Sequence, residues 1–426
     1  MRDGQMVKLL IIADDFTGAL DTGVQFAARG AATRVVTDLA YDFNRAEAEV
    51  LVMVAETRHL APEDAYRMVY STVRSARSAG ISYIYKKTDS ALRGNIGSEL
   101  AAVLDAAEAD SIAFLPAFPK MRRTTQNGIH YVDGIPVAES VFGKDPFEPV
   151  RDSSVAEILR KQTEKPVVLH RLEEPAVPAV PGIQVYDACT DEDLARIGGE
   201  LGAERLHLSA GCAGFAAALA DILELNGSEP QVPILPDSFF VACGSVNPVT
   251  LRQMRRAEQD GFIHIHLEPV QKLEPGWLES EDCGRKIRIW LEQARSSGRC
   301  ILDVNDPLGL DDTEIYAKAH GLTTEDLRIR ISAQLAHLMK RLLDGGLNAT
   351  ILCTGGDTLL ALMRTVGVAA LTPVRELDTG TVLTNFVYGE KTYHIISKSG
   401  GFGEPELFCR LAALVGAGNH KEDAVC

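Results

Sequence analysis

The 426-residue chain is 46% hydrophobic and 24% charged, the balance of an ordinary globular protein, and at roughly 100 to 200 residues per domain it has length for two or three. Its formal net charge of -16 argues against a nucleic-acid partner, because a polyphosphate backbone calls for a basic face, so an anionic ligand must find a locally basic site. No stretch reaches the roughly 18 apolar residues of a membrane span, the N-terminal run is too short for a signal peptide, and the eight cysteines form no C-x-x-C pair or His/Cys cluster at metal spacing; a cytoplasmic protein without membrane contact, disulfide framework or metal site is expected.

One unit recurs along the chain: a short apolar strand, a turn rich in Gly, Ser, Thr and Asp, then an amphipathic helix. This grammar predicts an α/β fold with largely parallel sheets flanked by helices. "LLII" runs into Asp14 and Asp15 and then a helix whose apolar face, Ala19, Leu20, Gly23, Val24 and Ala27, stops at Gly30. The strand "VLVMVA" (50–55) is followed by Arg58, and "ISYIYKK" (81–87) alternates before a helical stripe of Ile96, Leu100, Val103 and Leu104. "SIAFLPAFP" (111–119) supplies another strand, "FPKMRRTTQNG" (118–128) reads as a mobile surface loop carrying Lys120, Arg122 and Arg123, and "YVDGIPV" (131–137) holds the Asp-Gly pair of a tight hairpin. "EEPAVPAVPG" (173–182) reads as a loop. With three prolines and no helical period, "NGSEPQVPILPDS" (226–238) divides the chain into predicted domains 1–226 and 239–426 with a linker at 227–238. Beyond it the grammar returns in "SFFVACGSVNPVTLRQM", "ATILCTGGDTLLALM" and "YHIISKSGGFGEPELF".

Ligands of open α/β sheets sit at the carboxyl ends of strands, where helix N-termini offer unpaired N–H groups. Asp14 and Asp15 fall at such a point. Strand side chains alternate, so one acid faces a ligand, Asp15 being favoured, while the other caps or braces the helix; capping by both is the competing reading. "KKTDSALRGN" (86–95) crowds Lys87, Asp89, Ser90, Arg93 and Asn95 into a strand-to-helix turn, and with Arg58 these can clamp a carboxylate; a solvated charged turn is the alternative. Only one of Lys86 and Lys87 can serve such a pocket.

In the second half, "CGSVNPVT" starts a helix with Asn247 as cap and Pro248 in the first position. "TGGDT" (354–358) brings backbone close to a ligand through Gly355 and Gly356, with Asp357 available for a ribose, a metal or the cap, and "SKSGGFGEP" (397–405) sets Gly400, Gly401 and Gly403 beside Lys398. Three such turns in one domain suggest a phosphate cradle, although neither a P-loop nor a dinucleotide fingerprint is present. His264 and His266 share a strand face, but with no third ligand apparent they read as structural.

Taken in order, "ADDFTGA", "KTDSALRGNIGSE", "PAFPKMRRTTQNGIHYVDGIPV", "GSVNPVTLRQ", "TGGDT" and "SKSGGFG" cover nearly the whole chain and resemble the four-carbon acid sugar kinase family, formerly a family of unknown function. The resemblance implies an N-terminal domain for the sugar acid, a C-terminal domain for ATP with Mg2+ arriving on it, and phosphorylation of the terminal C4 hydroxyl of a tetronate, D-threonate first, with D-erythronate or 3-oxotetronate as alternatives. It carries acid binding onto Asp14, Arg58, Lys87, Asp89, Ser90 and Arg93, with Asp15 or Asp14 holding or deprotonating the acceptor alcohol. ATP binding falls on Ser245, on Gly355, Gly356, Asp357 and Thr358, and on Gly400, Gly401, Phe402 and Gly403. This chain departs from the family's "DSTLRGN" at Ala91. A phosphoaspartyl phosphatase using Asp15 is a rival reading that Ala19 weakens, and a non-catalytic sugar-acid sensor is another; a homo-oligomer is left open.

Overall fold

The computed structural model describes residues 7–43, 46–145, 148–174, 180–228 and 233–417. The chain forms two compact units that divide between Pro230 and Gln231. Residues 175–179 of the predicted Pro-rich loop and 229–232 of the predicted linker lie outside the described residues.

In the first unit the strands Leu9–Ala13 and Val50–Val54 are buried at every position, which suits a parallel sheet covered on both faces. The sheet order is Thr33–Val36, Val50–Val54, Leu9–Ala13, Tyr83–Lys87, Leu208–Gly211, Ser111–Leu115, Gly182–Tyr186, Val167–His170, and every neighbouring pair is parallel. Leu9–Ala13 is central, and the chain leaves it first toward one edge and later toward the other, a topological switch point. The pairing of Ala13 with both Val54 and Lys87 ends three strands level, so the segments after them open at one sheet edge.

"FPKMRRTTQNG" is not a mobile loop. Arg123–Gln126 pairs antiparallel with Ile129–Val132, which turns through Asp133 and Gly134, both at positive φ, into Ile135–Pro136. Reciprocal backbone hydrogen bonds between Thr125 and Ala188, 2.9 and 3.0 Å, tie this ribbon down, and Arg123 and Thr125 are buried. The buried positions Arg123, Thr125 and His130 are polar, so no apolar alternation marked these strands in the sequence.

The second unit orders its strands Ile263–His266, Arg299–Asp303, Phe239–Cys243, Thr350–Thr354, Lys391–Lys398, Thr381–Tyr388, Ala370–Asp378. The first five are parallel, while the last three form an antiparallel meander. The sheet is therefore largely parallel, as expected, with two antiparallel pairings that were not. "YHIIS" arrives not by a helical crossover but as the last limb of hairpins that turn at Gly380 and Gly389, φ +66° and +61°. Phe239, Val241, Leu352 and Ile396 from the sheet pack with Phe408 and Leu411 in one core cluster.

Candidate active site

Asp15 is the N-cap of the helix Phe16–Ala27: its extended backbone lets Oδ1 accept from the Gly18 N–H at 3.0 Å while Oδ2 accepts from the Thr17 hydroxyl at 2.8 Å. The capping role thus falls to the acid favoured as ligand-facing, although its side chain keeps 21% of its surface against 4% for Asp14. Asp14 Oδ2 accepts from Arg58 Nε at 2.8 Å, and among the described residues its buried Oδ1 has no hydrogen-bond partner, Lys87 Nζ standing 3.9 Å away. Arg58 also reaches Asp15 Oδ1 at 2.8 Å and Asp89 Oδ1 at 3.7 Å. The guanidinium expected to be open for a ligand is engaged by three carboxylates.

Gly18 explains itself here. A Cβ at that position would lie 2.4 Å from Asp15 Oδ1 and 2.7 Å from Lys87 Nζ, so the glycine is what admits the lysine to the helix start. Lys87 Nζ donates to the Thr88 carbonyl at 2.6 Å. Lys86 faces the opposite side of the sheet, fully buried and ion-paired with Glu99 at 3.0 Å, while Thr57 donates a hydroxyl hydrogen bond to the same acid. Burial pushes the Glu99 carboxyl up, more than Lys86 pulls it down.

Asp89 accepts from Arg93 Nε at 2.9 Å and from the third guanidinium nitrogen, NH2, at 3.0 Å, and Arg93 NH1 turns to Asp145 at 3.2 Å. The Phe142 ring covers both guanidinium groups, 5.1 Å from Arg93 Cζ and 5.0 Å from Arg123 Cζ. Arg123 donates to Ser90 Oγ. The Ser90 carbonyl accepts from His130 Nε2 at 2.9 Å, which leaves Nδ1 to accept from the Thr125 hydroxyl at 3.0 Å. Burial takes the His130 imidazole down to about 4, so it is neutral at neutral pH. Asn95 donates to the Thr57 and Leu60 carbonyls, at 2.9 and 2.8 Å, and so braces the Arg58 turn. Ala91 is fully buried and offers a ligand no surface.

Burial alone would raise the Asp15 carboxyl, but Arg58 and then Lys87 hold it below the usual carboxylate range. For Asp89 burial is likewise outweighed, by Arg93 and Arg58, and the group sits well below that range. Both are ionised acceptors at neutral pH. Asp14, Asp15, Asp89 and Asp145 face Arg58, Lys87, Arg93 and Arg123, so the cluster is close to neutral. Asp145, His130 and Glu99 were not anticipated from the sequence.

The predicted nucleotide residues gather in the second unit. Asn247 caps Pro248–Gln259 by accepting from the Val249 N–H at 2.9 Å, and Ser245 Oγ accepts from the Asn247 N–H at 3.2 Å. Gly355, at φ +94°, is the N-cap of Gly356–Thr365, so the positive-φ glycine of "TGGDT" is the first of the pair. A Cβ at Gly244 would be 1.9 Å from Thr358 Oγ1 and one at Gly400 would be 2.8 Å from Ser245 Oγ, which shows how closely the three turns meet. Thr250 donates to the Gly400 carbonyl at 2.8 Å, and Gln253 Nε2 donates to the carbonyls of Phe402, Gly403 and Glu404 at 2.9, 2.9 and 3.0 Å. Lys398, fully buried, donates to Thr250 Oγ1 and to the Ser399 and Gly400 carbonyls at 3.2, 3.1 and 3.2 Å. Burial in this neutral setting lowers its ammonium to about 8.

Of the roles open to Asp357, the cap is not taken. Asp357 is exposed and paired with Arg328 at 3.2 Å instead of capping its helix, and Phe402 lies over the Gly380 turn, where a Cβ would be 3.0 Å from the ring. His264 and His266, read as lacking a third ligand, do meet one in Asp303.

Residues 9–219 match the sugar-binding N-terminal domain family and residues 240–408 the nucleotide-binding C-terminal domain family. A D-threonate kinase of Bordetella bronchiseptica is 30% identical over 420 residues, 95% of this chain and 96% of that one. A D-erythronate kinase of Heliobacterium modesticaldum is 28% identical over 433 residues, again 95% and 96%. In fold, a crystal structure from Salmonella typhimurium LT2 superposes with a TM-score of 0.79 at 20% identity, covering 95% of this chain and 99% of that one.

Proposed function

The chain belongs to the four-carbon acid sugar kinases, ATP-dependent enzymes that phosphorylate four-carbon sugar acids, and from that membership we propose that its substrate is D-threonate, phosphorylated on the C4 hydroxyl to 4-phospho-D-threonate. The observation that carries the reading is the charge-balanced carboxylate–guanidinium cluster at the switch point of the first sheet, which offers both ionised acceptors for hydroxyls and cations for a carboxylate. The 30% identity to a D-threonate kinase favours threonate; the relative that acts on D-erythronate makes that acid the second reading.

Asp15 accepts the C4 O–H through the remaining lone pair of Oδ2 and points the alcohol oxygen at phosphorus. Held below the usual carboxylate range, it is a weak proton sink, which suits a loose transition state that demands positioning more than deprotonation. Asp14 keeps Arg58 against Asp15 and offers its unpartnered Oδ1 to a substrate hydroxyl. Lys87 and Arg93, through NH1, meet the substrate carboxylate, while Asp89 fixes the Arg93 fork and Ser90 lines the turn.

For the nucleotide, the N-terminal N–H groups of Pro248–Gln259 and Gly356–Thr365 and the Gly400–Gly403 backbone hold phosphates, with Ser245 and Thr358 beside them. Lys398 has its three donors on neutral oxygens, so it shapes the loop and adds positive potential from beneath. Mg2+, arriving on the triphosphate, would neutralise charge on the transferring oxygens.

A coupled ADP-release assay with D-threonate, D-erythronate and 3-oxotetronate tests the proposal. D-Threonate should give the highest kcat/KM, and activity should vanish with a chelator and return with Mg2+. A higher kcat/KM for either other acid would reassign the substrate. Phosphoester hydrolysis without ATP would restore the phosphatase reading.

A further inference from the structure

We propose that His264, His266 and Asp303 form a binding site for a divalent transition metal of the zinc class, separate from the Mg2+ that accompanies ATP. His264 and His266 lie two residues apart on Ile263–His266 and so project from one face of the strand. The parallel pairing of His266 with Asp303 brings in a carboxylate from the end of Arg299–Asp303. His264 Nε2 is 3.0 Å and His266 Nδ1 3.7 Å from the same oxygen, Asp303 Oδ2, and one donor atom from each residue falls within 4.8 Å of the others. Ligand atoms about 2.0 to 2.1 Å from a tetrahedral zinc ion stand about 3.3 Å apart, so the observed spacings need only small shifts to close on a metal.

The surroundings fit a cation. Asp303 Oδ1 accepts from the Asn305 backbone N–H at 3.0 Å and from Asn305 Nδ2 at 2.7 Å, which fixes the carboxylate and leaves Oδ2 to the imidazoles. The Asp303 and His264 side chains are 2% and 7% exposed, whereas His266 is 29% exposed, so the cluster meets solvent on the His266 side. Among the described residues the buried Nδ1 of His264 has no hydrogen-bond partner, and Glu258 Oε2 stands 3.7 Å from it. While Nε2–H donates to Asp303, that Nδ1 is a desolvated lone pair. A metal on Nε2 moves the ring proton to Nδ1, where it faces a carboxylate, the usual support of a metal-bound histidine. His266 exchanges its 3.0 Å bond to the Asn305 carbonyl for the ion. Two imidazoles and one carboxylate select zinc, copper, nickel or ferrous iron over Mg2+, which prefers an all-oxygen octahedron.

The test is a titration of the nucleotide-free, chelator-treated and dialysed full chain with zinc chloride, followed by calorimetry and metal analysis. It is independent of kinase activity. The expected result is one tightly bound equivalent that excess Mg2+ does not displace, with cobalt giving the visible bands of a tetrahedral site. His266→Ala should weaken zinc binding by at least about tenfold, while His337→Ala, an exposed histidine elsewhere, should not change it. His264→Gln is the second ligand variant, and thermal melting checks that each protein is folded. Failure of the wild type to take up zinc, displacement by Mg2+, or equal binding by folded His266→Ala or His264→Gln would overturn the proposal.

Discussion

The two candidate sites are built from opposite materials. In the first unit the elements are side chains: Asp14, Asp15 and Asp89 against Arg58, Lys87 and Arg93, each cation already holding a partner. In the second unit they are mainly backbone: helix starts at Asn247 and Gly355 and a glycine loop hung on Thr250, Gln253 and Lys398. The contrast follows from what each must hold. A sugar acid has to be oriented by its hydroxyls and carboxylate, which needs charged groups of defined direction, and these survive burial only when paired. Phosphates are satisfied by N–H groups and helix dipoles, which carry no such burial cost.

If that division is right, the largest effect belongs to a single side chain of the first unit. Asp15→Asn should lower kcat by about 100-fold to 10,000-fold with ATP affinity unchanged in calorimetry. Asn caps nearly as well, so the helix start should hold, but Arg58 and Lys87 lose a compensating carboxylate and Tm should fall, so activity is to be read well below the variant's own Tm. Full activity in this variant, with loss in Asp14→Asn, would move the role to Asp14.

Next in size, Arg93→Ala should weaken acid binding by about 1.5 to 3 kcal/mol and leave ATP alone. Its removal also strips Asp89 of its fork, so acid affinity should be compared at temperatures well below the variant's own Tm. The converse experiment is Gly355→Val, which forces a β-branched residue to φ +94° at roughly 1 to 3 kcal/mol of strain. ATP affinity should fall and acid affinity hold. Equal damage to both ligands by both variants would end the division.

The smallest effects lie in pH, and the two units should respond at opposite ends. Lys398 loses its charge as pH rises through about 8, so ATP affinity should drop a few-fold above that value while acid affinity stays level. His130, lowered from an ordinary value near 6.5 to about 4, binds its proton more weakly folded than unfolded. The stability it contributes is therefore whole above about 6.5, falls as pH drops from there, and is gone below about 4. Between pH 7 and 5.5 wild type should lose about 1 kcal/mol more stability than His130→Gln, read by urea unfolding.

What the sequence disclosed was local. The strand–turn–helix grammar and the polar turns at Asp14, Lys87, Ser245, Gly355 and Gly400 are written in contiguous residues, and those turns do lie at the ends of strands. What it withheld came from register and long-range pairing. Asp145 on Arg93 and Asp303 beside the two histidines are brought in by segments far apart in sequence, and Glu99 meets Lys86 only through the way the next helix packs on its strand, so no spacing announces them. Gly18 was visible as a letter of a motif, yet its reason is a lysine from another strand. The meander after Ala370 was missed differently: its Gly380 and Gly389 turns were in plain view, and the expectation of repeated crossovers overrode them.

Asn305 carries a consequence for the ageing of the protein. Its amide nitrogen donates at once to Asp303 Oδ1 at 2.7 Å and to the Ser245 carbonyl at 3.1 Å, joining a buried acid to the turn that starts Pro248–Gln259. Asparagine is among the thermolabile residues, and deamidation would put a carboxylate where that donor stands. Two like charges would then share one corner and the Ser245 turn would lose its tether, so a chemical change of about one mass unit during storage would reach the second unit's ligand loops through a residue that itself binds nothing.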